Sequence, residues 1–353
     1  MSTTVVIARL HVSEDAFSGD VPLAAVVRGA FVGSVHRGVA SVSACDGAEV
    51  LSLGDSAQSV FLRSAAKPFQ VMPAILSGAL DRFGVTEREL AVLCASHAGE
   101  PRHVEAVSSV LTKAGLHEDD LRCGVHPPID QESAAALVAS HAGPGPVYNN
   151  CSGAHTGMLL ACLANHWNIR AYGSPHHPLQ RLIRGILSSF SGVPEERIEY
   201  AVDNCAVPTL RLPVNHAARA FARLAEPTDM EANLAQAARA VVCAMTNHPE
   251  MVGGRESFDS HLMLAGAKRV VAKGGADGFQ GIGLPRRCLG VAIKIADGAS
   301  RAVPPVSLRI LRRLDLISDT EFVTLHRHAR PLLHDLQGEL VGHIEPLFDI
   351  ETS

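Results

Sequence analysis

Apolar positions in the first fifty residues fall into short runs broken by turn residues. Residues 23–29 follow the break at Val21-Pro22 and carry β-branched side chains, and residues 31–35 come directly after Gly29-Ala30. A third run covers 39–43, and a fourth, 49–53, ends at Gly54-Asp55. Such runs predict strands, so the chain opens with an antiparallel meander whose first two strands form a hairpin.

From about Ser64 to Leu264 the pattern predicts helices. Thr86 and Glu89 fit a capping box ahead of Leu90-Ala91-Val92-Leu93. Helices are predicted over 103–114 with a stop at Gly115, over 155–166, over 179–190 with a break at Ser191-Gly192-Val193-Pro194, and over the Ala-rich stretch 230–245. A strand returns at 290–295 and stops at Asp297-Gly298, a strong hairpin signal. Helices follow over 308–316 and 319–336, the second interrupted near Pro331. Strands at both ends around a helical middle predict a single α+β unit over 1–353. One antiparallel sheet comes from about 1–60 and 265–353, and a helical lobe from about 61–264.

Composition removes several classes of function. The chain has 353 residues, 47% hydrophobic and 19% charged, as in a folded globular protein. A net charge of −5 and a pI of about 6.4, with no basic stripe, give no footprint for nucleic acid. With 4% aromatics, stacking platforms for single strands are not expected either. The apolar run Val5-Val6-Ile7-Ala8 is short and followed by Arg9, Glu14 and Asp15, unlike an export signal, and no stretch is long enough to span a bilayer. The expectation is a cytoplasmic protein away from membranes. The eight cysteines show no CxxC spacing and are expected to be reduced and mostly buried.

Five segments could carry chemistry. In Arg63-Ser64-Ala65-Ala66-Lys67, a hydroxyl and an amine stand three residues apart, so a helical turn brings them together. A neutral amine there takes the serine proton as the oxygen attacks a carbonyl. A free lysine titrates at about 10.4, so burial or a neighbouring cation, such as Arg63, must lower that value. Pro68 is expected to push Lys67 out of the α region, giving a tight turn that leads into a helix. Taken alone, the pattern reads first as a turn with a solvated lysine.

In the second segment, Cys94-Ala95-Ser96-His97-Ala98-Gly99-Glu100, small residues around Ser96 leave room for a ligand. An ordinary helix-to-loop junction fits equally well. In Asn149-Asn150-Cys151-Ser152-Gly153-Ala154-His155, polar and small residues precede a helix, where backbone N–H groups meet an anion or carbonyl; Cys151 and His155 are also metal-ligand types. Asp203-Asn204-Cys205 adds a second cysteine. The separation of the two cysteines matches no common zinc spacing, so buried thiols are the local reading. Lys273-Gly274-Gly275-Ala276-Asp277-Gly278 follows an apolar stretch. It reads as a surface turn, or as a lysine held inward while a glycine loop approaches a substrate.

Together these segments resemble the rhizobial-type L-asparaginase family, the asparaginase II group. Further marks are Ser34-Val35-His36-Arg37-Gly38, Pro68-Phe69-Gln70, His248-Pro249-Glu250-Met251-Val252-Gly253-Gly254 and Val291-Ala292-Ile293-Lys294-Ile295-Ala296-Asp297-Gly298. The resemblance runs from about Val26 to Asp297. It implies hydrolysis of L-asparagine to L-aspartate and ammonia, a homodimer, and a fold like serine β-lactamases and glutaminases. It also implies two Ser–Lys pairs, Ser64 with Lys67 and Ser96 with Lys273, with Ser64 as nucleophile and Lys67 as its base. Arg63, His97, His155, Asp203, Gly274 and Gly275 are then expected around the substrate. A zinc ion on Cys151, Cys205 and a lysine is implied as well, but Ala154 stands at the lysine's position, so the metal is expected to be weakened or absent. The alternatives are a glutaminase or another serine hydrolase of this fold, since one methylene in a substrate changes specificity only ~10- to 200-fold, and an inactive ligand-binding homologue.

Overall fold

The computed structural model describes residues 18–141 and 143–350; the apolar run at Val5-Val6-Ile7-Ala8 lies outside them. The expected α+β architecture is observed. Strands β1 (Val21–Arg28) and β2 (Phe31–Ala44) form the hairpin around Gly29-Ala30, with Arg28 opposite Phe31. Gly29 sits at φ 56°, which a two-residue hairpin turn requires and glycine adopts without strain. The runs 31–35 and 39–43 are one 14-residue strand. β1 pairs with the first part of β2, and β3 (Glu49–Leu53) takes over the same edge from Ala40 to Ser43.

Two short strands, β4 (Ser59–Phe61) and β5 (Glu199–Val202), flank β6 (Pro208–Pro213) in a separate three-stranded sheet. The large sheet continues with β7 (Val271–Gly275), β8 (Phe279–Leu284) and β9 (Leu289–Ile295), and closes with β10 (Leu332–His334) and β11 (Leu340–Pro346). Its order is β10-β11-β1-β2-β9-β8-β7, with β3 off β2. N- and C-terminal segments therefore interleave in one sheet, all neighbours antiparallel.

Three expectations are corrected. Lys273-Gly274-Gly275 is a strand, not a loop, paired with the glycine-rich β8. Asp297-Gly298 does not start a hairpin. The Asp297 carboxylate holds the Ala299 N–H and the His36 ring, and the chain turns into the helix Val303–Arg313. Residues 319–336 are helical only at Asp319–Thr324 and His326–Ala329; past Pro331 the chain becomes the edge hairpin β10–β11, turning at Asp335 and Gly338, where φ is 86°.

The helix Val214–Ala225 crosses one face of the sheet over β2, β8 and β9. It comes so close that a Cβ on Gly281 would lie 2.0 Å from the Phe221 ring, and one on Gly290 2.0 Å from the Ala218 carbonyl oxygen. Val303–Arg313 packs on β9, β1 and β11. The helical middle holds Glu87–Leu93, with the expected Thr86–Glu89 capping box, and Pro101–Lys113, Ser152–Ala164, Pro178–Ser191 and Ala232–Asn247. Among the described residues no helix is long and apolar enough to cross a membrane.

Candidate active site

The Ser64 segment starts where β4 leaves the small sheet. Arg63–Ala66 is a 3₁₀ turn that runs into the helix Lys67–Gln70. Lys67 is α-helical (φ −58°, ψ −37°) despite Pro68, because a proline in the first helical turn lacks only an N–H that would be unpaired anyway. Phe69 fixes this turn in the core, edge-on to Phe190 and Phe221 at 5.4 and 5.7 Å. Arg63 takes φ 52°, a left-handed conformation costing about 1–3 kcal/mol, which its surroundings hold in place. Its N–H donates to Thr209 Oγ1 at 3.2 Å, and its guanidinium joins Asp203 at 2.9 Å and Asp277 at 2.8 Å. The Arg63 Nε–H is buried without a partner among the described residues. β7 backs the turn: a Cβ on Gly275 would lie 2.3 Å from the Leu62 carbonyl oxygen.

Lys67 is buried, and its amine donates to Ser96 Oγ at 2.9 Å, Cys151 Sγ at 3.2 Å and the Asn150 carbonyl at 3.3 Å. Lys67, expected beside Ser64, thus bonds Ser96, the serine expected with Lys273. The Lys273 amine donates to its neighbour's carbonyl, Gly274 O at 2.8 Å, and stands 3.5 Å from the Asp259 carboxylate. Burial pulls the pKa of Lys273 down, the Asp259 carboxylate opposes this, and the charge of Lys67 adds to the lowering. Asp259 also accepts from the Gly274 N–H at 2.7 Å and from Gln280 Nε2 at 2.9 Å. The Gly274 N–H expected to face substrate is therefore engaged inside the protein.

The two serines open on different spaces. Ser64 lines a cleft of about 420 Å³ with Arg63, His126, Asn150, Cys151 and Asp203. Ser96 lines a cavity of about 700 Å³ with Glu100, Asp130, Glu132 and Arg255. Lys67 bonds to Ser96 of the larger cavity and to Asn150 and Cys151 of the cleft, so its amine joins the two walls.

His97 and His155 do not reach either surface. His97 is fully buried; its Nδ1 accepts from the Gly99 N–H and its Nε2 pairs with Ser152 Oγ at 2.9 Å. Burial holds its pKa well below the usual histidine range. His155 is equally buried, with Nδ1 2.6 Å from the Tyr172 hydroxyl and Nε2 unpartnered among the described residues. Its pKa is pulled down to about 3 by burial, with the Lys67 charge adding. Both rings brace the wall behind Asn150 and Cys151. His126, which sequence reasoning missed, does face the cleft, and its Nε2 accepts from the Asn150 N–H at 3.1 Å. Asp259 was missed too, lying on a helix with no distinctive pattern around it.

Cys151 and Cys205 are neighbours. A hydrogen bond from the Cys205 thiol, with Lys67 close by, draws the pKa of Cys151 down to about 5, while that of Cys205 rises. Ala154 adds no third donor to these two thiols, and the neighbouring His155 is tied to Tyr172.

The model of one protein family, L-asparaginase II, matches residues 24–346, nearly the whole chain. The chain belongs to the L-asparaginase II family. No curated protein sequence matches it significantly. Among solved structures, the native form of Mglu is similar at 17% identity over 79% of this chain, with a TM-score of 0.37; the match spans 65% of that chain's length. A β-lactamase from Mycobacterium bovis is similar at 14% identity, over 83% of this chain and 95% of that one, with a TM-score of 0.42.

Proposed function

We propose that this asparaginase II family member hydrolyses L-asparagine to L-aspartate and ammonia, with Ser64 as nucleophile. The observation that carries the reading is the buried Lys67 amine, hydrogen-bonded at 2.9 Å to Ser96 and one helical turn from Ser64. Ser64 Oγ attacks the side-chain amide carbon as Lys67 receives its proton. Lys67 passes a proton to Ser96, whose hydroxyl delivers it to the departing nitrogen. Ammonia leaves, and water repeats the cycle on the acyl-serine ester. Arg63 and Asp203, paired with each other in the cleft wall, exchange part of that ion pair for substrate, Arg63 holding its carboxylate and Asp203 its α-ammonium group. Lys273, positioned by Asp259, supplies positive charge near Lys67. No step passes through a metal. The homodimer implied by the family resemblance, and a cytoplasmic location, belong to the same proposal.

The test is steady-state ammonia release by the purified chain from asparagine and, separately, from glutamine. Turnover of asparagine with the higher kcat/KM is the expected result. No turnover of asparagine, or a preference for glutamine, overturns the reading.

A further inference from the structure

The turn after β2 and the turn before β9 lie side by side at one end of the large sheet. The β2–β9 register pairs Gly38 with Ile295 and Ala44 with Leu289, so the next pair is Cys45 with Cys288. The Cys45 N–H donates to the Cys288 carbonyl at 3.0 Å, which holds the two backbones side by side where the ladder gives way to turns, with Cys288 at a left-handed φ of 49°. A backbone bond of this kind keeps the two Cα atoms roughly 5.5 Å apart, within the range a disulfide spans. The Cys45 thiol donates to the Glu226 carbonyl at 3.5 Å, and burial, with Cys288 beside it, raises its pKa to about 12.

Exposure differs between the two. Cys45 is buried, whereas Cys288 is half-exposed in the β8–β9 turn, with Arg286 and Arg287 just before it. Behind them, Arg219 and Arg223 from the helix Val214–Ala225 donate to the Cys45 carbonyl at 3.2 and 3.0 Å. The pair is thus a partly open sulfur and a sheltered one, with the Arg219 and Arg223 guanidinium groups and the Glu226 carboxylate beside them.

We propose that Cys45 and Cys288 form a redox-modification site that an anionic low-molecular-weight disulfide oxidises to a cross-strand disulfide. The Cys288 thiolate attacks one sulfur of the small disulfide, forming a mixed disulfide and releasing one small thiolate. Cys45, deprotonated, then attacks the Cys288 sulfur; the protein S–S bond forms and the second small thiolate leaves. Two protein thiols are oxidised, one small disulfide is reduced to two thiols, and the two protein protons end on those thiols. The arginines favour the anionic reagent at Cys288. The bond staples β2 to β9, two strands that are 243 residues apart at these positions (288 less 45).

The test treats the native full-length chain with oxidised glutathione, blocks the remaining thiols by alkylation, and maps peptides by mass spectrometry. The expected result is a Cys45–Cys288 linked peptide and a fall in free thiols by two. The oxidised protein should also melt at a higher temperature. C288S is expected to abolish the link, and C243S, which removes the exposed lone thiol, to leave it intact. Alkylation of both Cys45 and Cys288 after treatment overturns the proposal. So does a glutathione adduct that persists on Cys288, or a link formed only between Cys151 and Cys205. None of these readouts depends on asparagine turnover.

Discussion

Ser64, one turn before Lys67, and Ser96, bonded to the Lys67 amine, stand in unlike surroundings. Ser64 rests on a 3₁₀ turn whose leading residue, Arg63, is held left-handed between two carboxylates. Its cleft is small and carries groups suited to an amino-acid head: the Arg63 guanidinium, the Asp203 carboxylate and the Asn150 amide. Ser96 follows a helix end, receives the Lys67 amine, and opens on a larger space lined by Glu100, Asp130, Glu132 and Arg255. A nucleophile needs a bound carbonyl nearby, whereas a proton relay needs a fixed donor. The first description suits Ser64 and the second Ser96.

Substitutions at the two serines sharpen that contrast most. Ser64→Ala is expected to lower kcat for ammonia release at least about a thousandfold with folding intact by circular dichroism. Ser96→Ala is expected to cost ~10²- to 10⁴-fold in kcat, with a changed pH–rate profile because a proton-transfer group is lost. Equal loss at both positions with unchanged pH profiles breaks the comparison. Asp259→Asn acts through Lys273; an effect of roughly tenfold on kcat is expected, with a shifted pH optimum that a purely structural role would not produce. Beside the cleft, Ala154→Lys restores a third donor to the two thiols. Zinc measured by elemental analysis is expected to be below stoichiometric in the natural chain and to rise in this variant. Full zinc occupancy in the natural chain contradicts the metal-free reading.

Stability probes the scaffold that holds both serines. Gly281→Ala drives a methyl into the Phe221 ring, and a loss of about 1–3 kcal/mol in a denaturation midpoint series is expected. His155 gives a pH signature. Its folded pKa, about 3, lies below the unfolded value, so the unfolded chain binds the extra proton between them. Its contribution is therefore intact above about pH 6.5 and lost as pH falls toward 3. His155→Gln should flatten that part of the stability–pH curve.

The ends of the sheet were legible because β1, β2, β3 and β9 carry apolar, β-branched runs with clear turn residues. β7 and β8 were hidden by glycines in Lys273-Gly274-Gly275 and in Phe279-Gln280-Gly281-Ile282-Gly283. Those glycines resemble a loop in sequence, but in the fold they admit the Leu62 backbone and the Phe221 ring. The edge hairpin β10–β11 was masked by the helical pattern leading up to Pro331. In the site, Ser64, Lys67, Ser96 and Lys273 were singled out by the family resemblance. The Lys67–Ser96 bond was not legible, since it depends on how a helix end packs against a turn 29 residues earlier in the chain. The histidines misled because burial, which sequence spacing does not report, decides whether an imidazole faces a ligand or a core.

The most direct test of the assignment is covalent labelling with a diazoketone analogue of asparagine, followed by peptide mapping. The account predicts a single adduct on Ser64 that excess asparagine prevents. An adduct on Ser96, with Ser64 unmodified, would contradict it.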